Sequence, residues 1–198
     1  MQAGRTPRAC ALAYLKGGAR VLQVRAKRLA AGQALELIDA VVRAAAPHGA
    51  AVVVNDRVDL ARLAGAAGVH VGQDDLPPRL AREQLGPQAI VGVSTHTVAQ
   101  VEAAAREPVD YIAVGPVFGT TTKDAGYDAV GLELVTIARR LVPAHIPIVA
   151  IGGITLDRAP AVWRAGASTV AVIGDLLTGD PEARVRAYLD LFARMGKV

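Results

Sequence analysis

Short runs rich in valine and isoleucine recur along the chain and alternate with longer amphipathic stretches. Near-continuous apolar runs of this length are typical of parallel strands that are buried on both faces. Between them, apolar residues three or four positions apart predict helices, most clearly where Leu35, Ile38 and Val42 share one face. Strands alternating with helices predict an α/β fold with right-handed crossovers. The seven predicted strands cover residues 21–24, 51–54, 69–71, 90–93, 111–114, 148–151 and 169–173.

Glycines at the strand ends help to choose between an open doubly wound sheet and a barrel. A TIM (β/α)8-type barrel brings all the loops that follow its strands to one mouth, and glycine lies at the carboxyl end of nearly every predicted strand, which favours the barrel. Such a barrel has eight strands, whereas this chain opens with a predicted helix, so we expect the first strand to be missing or replaced. Without a linker or low-complexity tract, residues 1–198 are expected to form a single (β/α) barrel domain. The strand-end glycines are Gly72, Gly92, Gly115, Gly152 and Gly174.

Composition narrows the classes of partner. Aromatic residues make up only 4% of the chain, and the basic residues behind its net charge of +4 are scattered, so we expect no nucleic-acid partner. No apolar stretch approaches the roughly 18 residues of a membrane span. With one cysteine, Cys10, and no signal-peptide pattern, we expect a cytoplasmic protein with no membrane partner. The sequence leaves a homo-oligomer open.

Polar residues occupy alternate positions within and directly after the first predicted strand. Gln23, Arg25 and Lys27 are spaced by two, so an extended chain places all three on one face. Two cations at a strand end suit a polyanion such as a diphosphate, which offers several charged acceptors. The alternative is that Arg25 and Lys27 simply leave the strand into solvent.

Carboxylates follow the next two predicted strands. Asn55 and Asp56 come directly after one strand, and Asp75 ends the segment after the other. Two carboxylates from neighbouring strand ends suit Mg²⁺ when the ion also bridges substrate phosphates. Spacing leaves other interpretations open, because Asp56 could cap a helix and Asp75 could form a turn before Pro77.

Two further loops have the character of phosphate sites. The loop after the fifth strand carries Thr120, Thr122 and Lys123, which offer hydroxyl donors and an ammonium without the spacing of a Walker loop. Gly152 and Gly153 follow the sixth strand, and paired glycines let backbone N–H groups approach an oxyanion closely. A plain tight turn is the alternative for the glycine pair.

Taken in order, these segments resemble the thiamine-phosphate synthase family. The resemblance runs from about Leu12 to Leu177, and the joint order and spacing of the motifs are far more specific than any one of them. The matching elements are Gln23-x-Arg25-x-Lys27, Val54-Asn55-Asp56, residues 68–73 with Asp75, Gly92-Val93-Ser94, Asp110-Tyr111, Gly115-Pro116, Thr120-x-Thr122-Lys123 and residues 149–154.

The resemblance implies a transferase of thiamine biosynthesis. Such an enzyme joins 4-amino-5-hydroxymethyl-2-methylpyrimidine diphosphate to thiazole phosphate and releases pyrophosphate. It implies that the catalytic residues are Arg25, Ser94 and Lys123, and that Mg²⁺ is bound by Asp56 and Asp75. The implied substrate-binding residues are Arg25, Lys27, Asn55 and Lys123 for the diphosphate, Gln23 and His70 for the pyrimidine, Ser94 near the reacting centre, and Thr120, Thr122, Gly152 and Gly153 for the thiazole phosphate.

The chain departs from the family pattern at two places in its sequence and, more importantly, in its absent first strand, and two alternatives stay open. Gly119 stands where the family often has proline, and Gly174-Asp175 replaces a common serine that helps to bind the second phosphate. The alternatives are a thiazole tautomerase-like relative without synthase activity and an inactive, N-terminally truncated barrel. Tautomerase-like relatives tend to lose the diphosphate-binding residues, which this chain keeps together, so the synthase is favoured.

Overall fold

The computed structural model describes residues 6–119 and 128–196. Two short 3-10 helices, Ala46–His48 and Asp175–Leu177, accompany the main elements. Within the described ranges the main elements follow the order α1 (Pro7–Lys16), β1 (Val21–Val24), α2 (Ala31–Ala45), β2 (Ala51–Asn55), α3 (Val58–Leu63), β3 (Gly68–Val71), α4 (Pro78–Leu85), β4 (Ile90–Thr95), α5 (Val98–Ala104), β5 (Tyr111–Val114), α6 (Gly131–Leu141), β6 (Ile148–Ile151), α7 (Ala159–Arg164), β7 (Thr169–Ala171) and α8 (Pro181–Met195).

The strands form a sheet in the sequential order β1-β2-β3-β4-β5-β6-β7. The registered pairs β1–β2, β2–β3, β4–β5, β5–β6 and β6–β7 are parallel. A doubly wound sheet reverses its strand order at a switch point, whereas this order never reverses, as in a TIM-like fold. The predicted α/β fold with seven parallel strands is therefore confirmed. No eighth strand occurs among the residues described, so a closed eight-stranded barrel stays a prediction.

The chain divides into two compact units. Unit 1 contains the described residues up to His70, Ala81–Ile90 and the described residues from Leu176 onward. Unit 2 contains Val71–Leu80 and the described residues from Val91 to Asp175. Among the helices that the structure describes, none is both long and apolar enough to span a membrane.

In unit 1, helices α1 and α2 cover one face of β1 and β2. Leu22 and Val24 of β1 are buried in the same apolar cluster as Leu15 and Ile38, whereas Gln23 between them is exposed. Burial of each large apolar side chain stabilises the fold by about 1.5–3 kcal/mol. The apolar side chains of the first strand thus lie on the helical side of the sheet, and Gln23 lies on the other side.

In unit 2, strands β4 and β5 are almost completely buried. Gly92 is the register partner of Tyr111, and a β-carbon at Gly92 would lie 2.0 Å from the ring carbon Cζ of Tyr111. Only glycine therefore leaves room for the tyrosine ring across β4.

Strand β7 ends at Ala171, two residues earlier than predicted, because Ile173 is already exposed and a 3-10 helix begins at Asp175.

Candidate active site

The polar residues of unit 1 lie on the face of the sheet opposite to helices α1 and α2. The register pairs Gln23 with Val53, Val53 with Gly68, and Asn55 with His70. Register partners in a parallel sheet point to the same side, and residues two apart also share a face. The strand pairing therefore places Gln23, Asn55 and His70 on one surface. Asn55 and His70 are buried, and Gln23 is exposed.

Asp56 directly follows β2. Its backbone adopts φ 64°, a left-handed conformation that is uncommon for residues other than glycine, and its N–H donates to the carbonyl oxygen of His70 at 2.8 Å. Its Oδ2 lies 2.8 Å from Nζ of Lys27. The structure thus brings a predicted phosphate-binding cation into contact with a predicted metal ligand. Arg25 is exposed and makes no hydrogen bond or ion pair within the described part of the chain.

The amide of Asn55 is the unusual group of this surface. The residue is only 8% exposed, and its Nδ2 is buried. This nitrogen nevertheless donates no hydrogen bond within the ranges that the structure describes. A buried donor left without an acceptor costs about 1–3 kcal/mol, and native proteins rarely contain one without a reason. An oxygen atom from outside the chain could accept a hydrogen bond from this amide.

Arg57 follows these residues, but its guanidinium is already engaged. Nε and Nη2 donate to the two carboxylate oxygens of Asp59 at 2.8 and 2.5 Å. This pairing raises the pKa of Arg57 and lowers the pKa of Asp59. We therefore leave Arg57 out of the candidate site.

In unit 2, Asp75 is fixed by the turn that follows β3. Its Oδ2 accepts a hydrogen bond from the N–H of Gly72 at 2.8 Å. The turn interpretation is therefore confirmed. It does not compete with metal binding, because an ionised carboxylate has about four lone-pair positions.

Gln73, which the sequence did not single out as a site residue by itself, connects the same turn to β4. Its Nε2 donates to the carbonyl oxygen of Ser94 at 2.6 Å. Ser94 is buried at 7% exposure, so this bond holds the backbone at the predicted reacting position. The side chain of His96, two residues on, contacts the carbonyl oxygen of Gly115 through Nδ1.

Gly152 and Gly153 pack against the loop that follows β5. Both have positive φ, 100° and 60°, and a β-carbon on Gly152 would lie 2.5 Å from Cα of Pro116. Val117 and Phe118 donate backbone hydrogen bonds to the carbonyl oxygens of Ile151 and Gly152 at 2.8 and 3.0 Å. These angles and contacts show a tight turn, which was the alternative for the glycine pair; the approach of its N–H groups to an oxyanion stays a prediction.

Two charged side chains complete the turn after β6, and the sequence did not predict either role. Arg158 donates from Nη1 to the carbonyl oxygen of Gly153 at 2.9 Å, and its guanidinium carbon lies 4.8 Å from the centre of the Phe118 ring. Asp175 is buried, and its Oδ2 accepts from the N–H of Leu156 at 3.2 Å. Contacts between loops carry no periodic signal, so only the presence of charge after the glycine pair could have drawn attention to them.

Three predicted residues, Thr120, Thr122 and Lys123, lie outside the described residues. Among the described residues, no group of three or more histidine, cysteine, aspartate or glutamate side chains could hold a metal ion. Asp56 and Asp75 have the oxygen donors that Mg²⁺ prefers, and Mg²⁺ commonly takes only one or two protein carboxylates together with substrate phosphates and water. The donor chemistry therefore fits the predicted ion, whose binding stays a prediction.

The sequential parallel sheet and the polar residues at its strand ends define a TIM-like α/β protein with candidate sites for phosphorylated small molecules. The sequence profile of the thiamine monophosphate synthase family matches residues 2–176. The chain belongs to this family.

Named relatives agree with that assignment. The chain is 43% identical to thiamine-phosphate synthase of Roseiflexus castenholzii over 92% of its own length and 79% of the relative's. It is 47% identical to that of Anaeromyxobacter dehalogenans over 91% and 80% of the two lengths. These names confirm the predicted class of enzyme, a transferase of thiamine biosynthesis, and do not favour a tautomerase-like relative.

Solved structures give the same fold. Thiamine phosphate pyrophosphorylase from Pyrococcus furiosus superposes with a TM-score of 0.87 at 28% identity, covering 96% of this chain and 91% of that one. Phosphoribosyl anthranilate isomerase from Thermotoga maritima gives a TM-score of 0.65 at 14% identity, covering 94% of each chain, which is a likeness of fold alone.

Proposed function

We propose that this chain joins an aminopyrimidine diphosphate to thiazole phosphate and releases pyrophosphate, forming thiamine phosphate. The observation that carries the proposal is the buried, unpaired Nδ2 of Asn55 beside the Lys27–Asp56 pair. Asn55 is the only asparagine among the 198 residues. A phosphate oxygen would supply the acceptor that this amide lacks.

The cations and the amide of unit 1 are assigned to the diphosphate. In the reaction the bond between the pyrimidine methylene carbon and the diphosphate oxygen breaks, and its electron pair leaves with pyrophosphate. Arg25 and Lys27 would stabilise the charge that develops on this leaving group, and Asn55 would donate a hydrogen bond to it. Asp56 would hold the ammonium of Lys27 in position through the contact at 2.8 Å.

The pyrimidine and the metal are assigned to other residues of the predicted set. Gln23 and His70 would contact the pyrimidine ring, because they share the face that carries Asn55. The ring amino group stabilises the electron-poor methylene carbon that remains, so no protein nucleophile is required. Asp56 and Asp75 are each proposed as a ligand of Mg²⁺, which when bound would neutralise charge on the diphosphate. Lys123 is assigned to the diphosphate from its motif alone.

The residues of unit 2 are assigned to the second substrate. Backbone N–H groups at Gly152 and Gly153 would bind the phosphate of the thiazole, together with Thr120 and Thr122 from the motif. The thiazole nitrogen then donates its lone pair to the methylene carbon and forms the new C–N bond. A substrate fixed by its own phosphate attacks from a defined position, which lowers the entropic part of the barrier. Ser94 is proposed to lie near the reacting atoms.

Turnover of both precursors tests this function. Purified protein with Mg²⁺ should convert the pyrimidine diphosphate and thiazole phosphate into equal amounts of thiamine phosphate and pyrophosphate. Thiamine phosphate is quantified by chromatography after oxidation to its fluorescent thiochrome derivative, and pyrophosphate by a coupled enzymatic assay. Reactions lacking either precursor serve as blanks. If protein shown to be folded by circular dichroism makes no product above these blanks, the proposed function is wrong.

A further inference from the structure

The guanidinium of Arg158 is fixed at the turn after β6 while most of its hydrogen-bonding capacity is unused. One of its five N–H groups donates to the carbonyl oxygen of Gly153 at 2.9 Å, and the cation stacks on Phe118 at 4.8 Å. Within the described part of the chain it makes no ion pair. A cation that is oriented but not neutralised is suited to bind an anion.

The position of this cation relates it to the Gly152-Gly153 turn. Nη1 lies 2.9 Å from the carbonyl oxygen of Gly153, and the nitrogen and oxygen atoms of one residue are about 3 Å apart. The guanidinium therefore lies within about 6 Å of the Gly153 N–H. A phosphate bound by the backbone of this turn would lie within the range of direct Coulombic attraction.

Asp175 contributes a carboxylate to this turn, so binding of a phosphate there depends more strongly on a nearby cation. It follows Gly174, where the sequence departs from a serine that is common in the family, and its Oδ2 accepts from the N–H of Leu156. Gly174 has no side chain, so it cannot replace the donor that a serine hydroxyl offers to a phosphate. Arg158 can supply both donors and positive charge.

We infer that Arg158 is a binding and specificity-determining residue for the phosphate group of the second substrate. The inference rests on the proposed function, because it names a side chain of the subsite there assigned to Gly152 and Gly153. Phe118 acts as a positioning residue in this arrangement, since its ring fixes the guanidinium plane. The chemical class recognised is a phosphate monoester on a small heterocycle.

Three substitutions separate charge from structure. Arg158→Ala removes the cation and the hydrogen bond to Gly153, Arg158→Gln can keep an amide donor without the charge, and Arg158→Lys keeps the charge alone. Arg164→Ala is the matched control, because this exposed arginine of α7 makes no hydrogen bond or ion pair within the residues described. Steady-state KM is measured separately for the two substrates. Isothermal calorimetry measures binding of thiazole phosphate, unphosphorylated thiazole alcohol and inorganic phosphate.

We expect Arg158→Ala and Arg158→Gln to raise KM for thiazole phosphate about tenfold or more, as expected for the loss of a charge-assisted hydrogen bond. Arg158→Lys should fall between these variants and the wild type. KM for the pyrimidine diphosphate should stay within about twofold of the wild-type value. Binding of the thiazole alcohol should not change in any variant. If Arg158→Gln retains the wild-type KM for thiazole phosphate, the arginine acts only as a structural donor and the inference is overturned.

The outcomes distinguish this inference from the proposed function. If the wild type and Arg164→Ala make no thiamine phosphate, the proposed function fails. Arg158 is then judged by inorganic phosphate alone, and equal dissociation constants for the wild type and Arg158→Ala would overturn its role. If both proteins turn over and Arg158→Ala matches them in KM for thiazole phosphate, only the inference fails.

A double-mutant cycle tests the role of Phe118. Phe118→Leu should raise KM for thiazole phosphate less than Arg158→Ala does, because the cation remains but is less well oriented. In the double variant the two effects should be less than additive, since the ring acts through the guanidinium. Fully additive effects would show that Phe118 does not position Arg158.

Discussion

Replacement of Asn55 by leucine should make the protein more stable and abolish its turnover. Leucine has nearly the shape of asparagine, and the Asn55 side chain makes no hydrogen bond within the described residues, so the substitution breaks none of them. It removes a buried donor that costs about 1–3 kcal/mol while unpaired. The same donor is the one that the proposed function assigns to the diphosphate.

The expected size of the stability change follows from the length of the chain. A change of 1 kcal/mol shifts the melting temperature of a domain of 150–250 residues by about 2–4 °C. Recovery of even half of the penalty at Asn55 should therefore raise Tm by roughly 1–6 °C. Differential scanning calorimetry without ligand measures this shift.

Ligand binding should reverse the order of the melting temperatures of the wild type and Asn55→Leu. A ligand at 100 times its dissociation constant stabilises the folded state by about 2.7 kcal/mol. Saturating pyrophosphate with Mg²⁺ should therefore raise Tm of the wild type by roughly 5–10 °C and that of Asn55→Leu far less. Val54→Ala is the control, because Val54 is buried at 2% exposure on the opposite face. It should lose stability but keep turnover and the full ligand shift.

Two results would refute this reasoning. A fall in Tm of several degrees for ligand-free Asn55→Leu would mean that the amide is satisfied within the fold. A normal turnover rate in the same variant would mean that the amide does not contact the substrate. The melting result separates a structural asparagine from a binding one, because the two roles predict opposite signs for the stability change.

The remaining predictions concern one side chain and one turn. Lys27→Ala should lower kcat/KM by about tenfold or more, because it loses the contact with the diphosphate. The control Lys16→Ala, which changes an exposed lysine of α1, should keep the wild-type kcat/KM, and an equal loss of kcat/KM in both variants would contradict the assignment. Gly152→Ala should unfold at a lower temperature, because its β-carbon would meet the Pro116 backbone at 2.5 Å and its φ is 100°. The control Gly32→Ala in α2 meets no atom within 4 Å, so it should raise the free energy of unfolding by about 0.4–1 kcal/mol. A Gly152→Ala variant that melts with the wild type would show that the turn relaxes without cost.

The sequence predicted the sheet well because strand burial leaves a periodic trace. Gln23 between Leu22 and Val24 shows the alternation that places polar and apolar side chains on opposite faces, and the register with β2 follows that pattern. Asn55 was predicted directly after its strand, and the structure makes it the last residue of β2, with Asp56 following. The bond from Gln73 to the Ser94 carbonyl was not predictable, because it joins residues that are 21 positions apart.

Contacts between loops explain why the role of Arg158 could not be predicted from its spacing. Its guanidinium reaches Gly153 and Phe118 only because the two turns after β5 and β6 meet through backbone hydrogen bonds. Such contacts depend on tertiary structure, and a change of side chain there leaves the strand pattern intact. The same freedom allows the loss of a serine hydroxyl at Gly174 to be offset by a cation elsewhere in the subsite. We therefore expect substrate affinity in this family to vary most through charges on these turns, while the sheet that carries them stays the same.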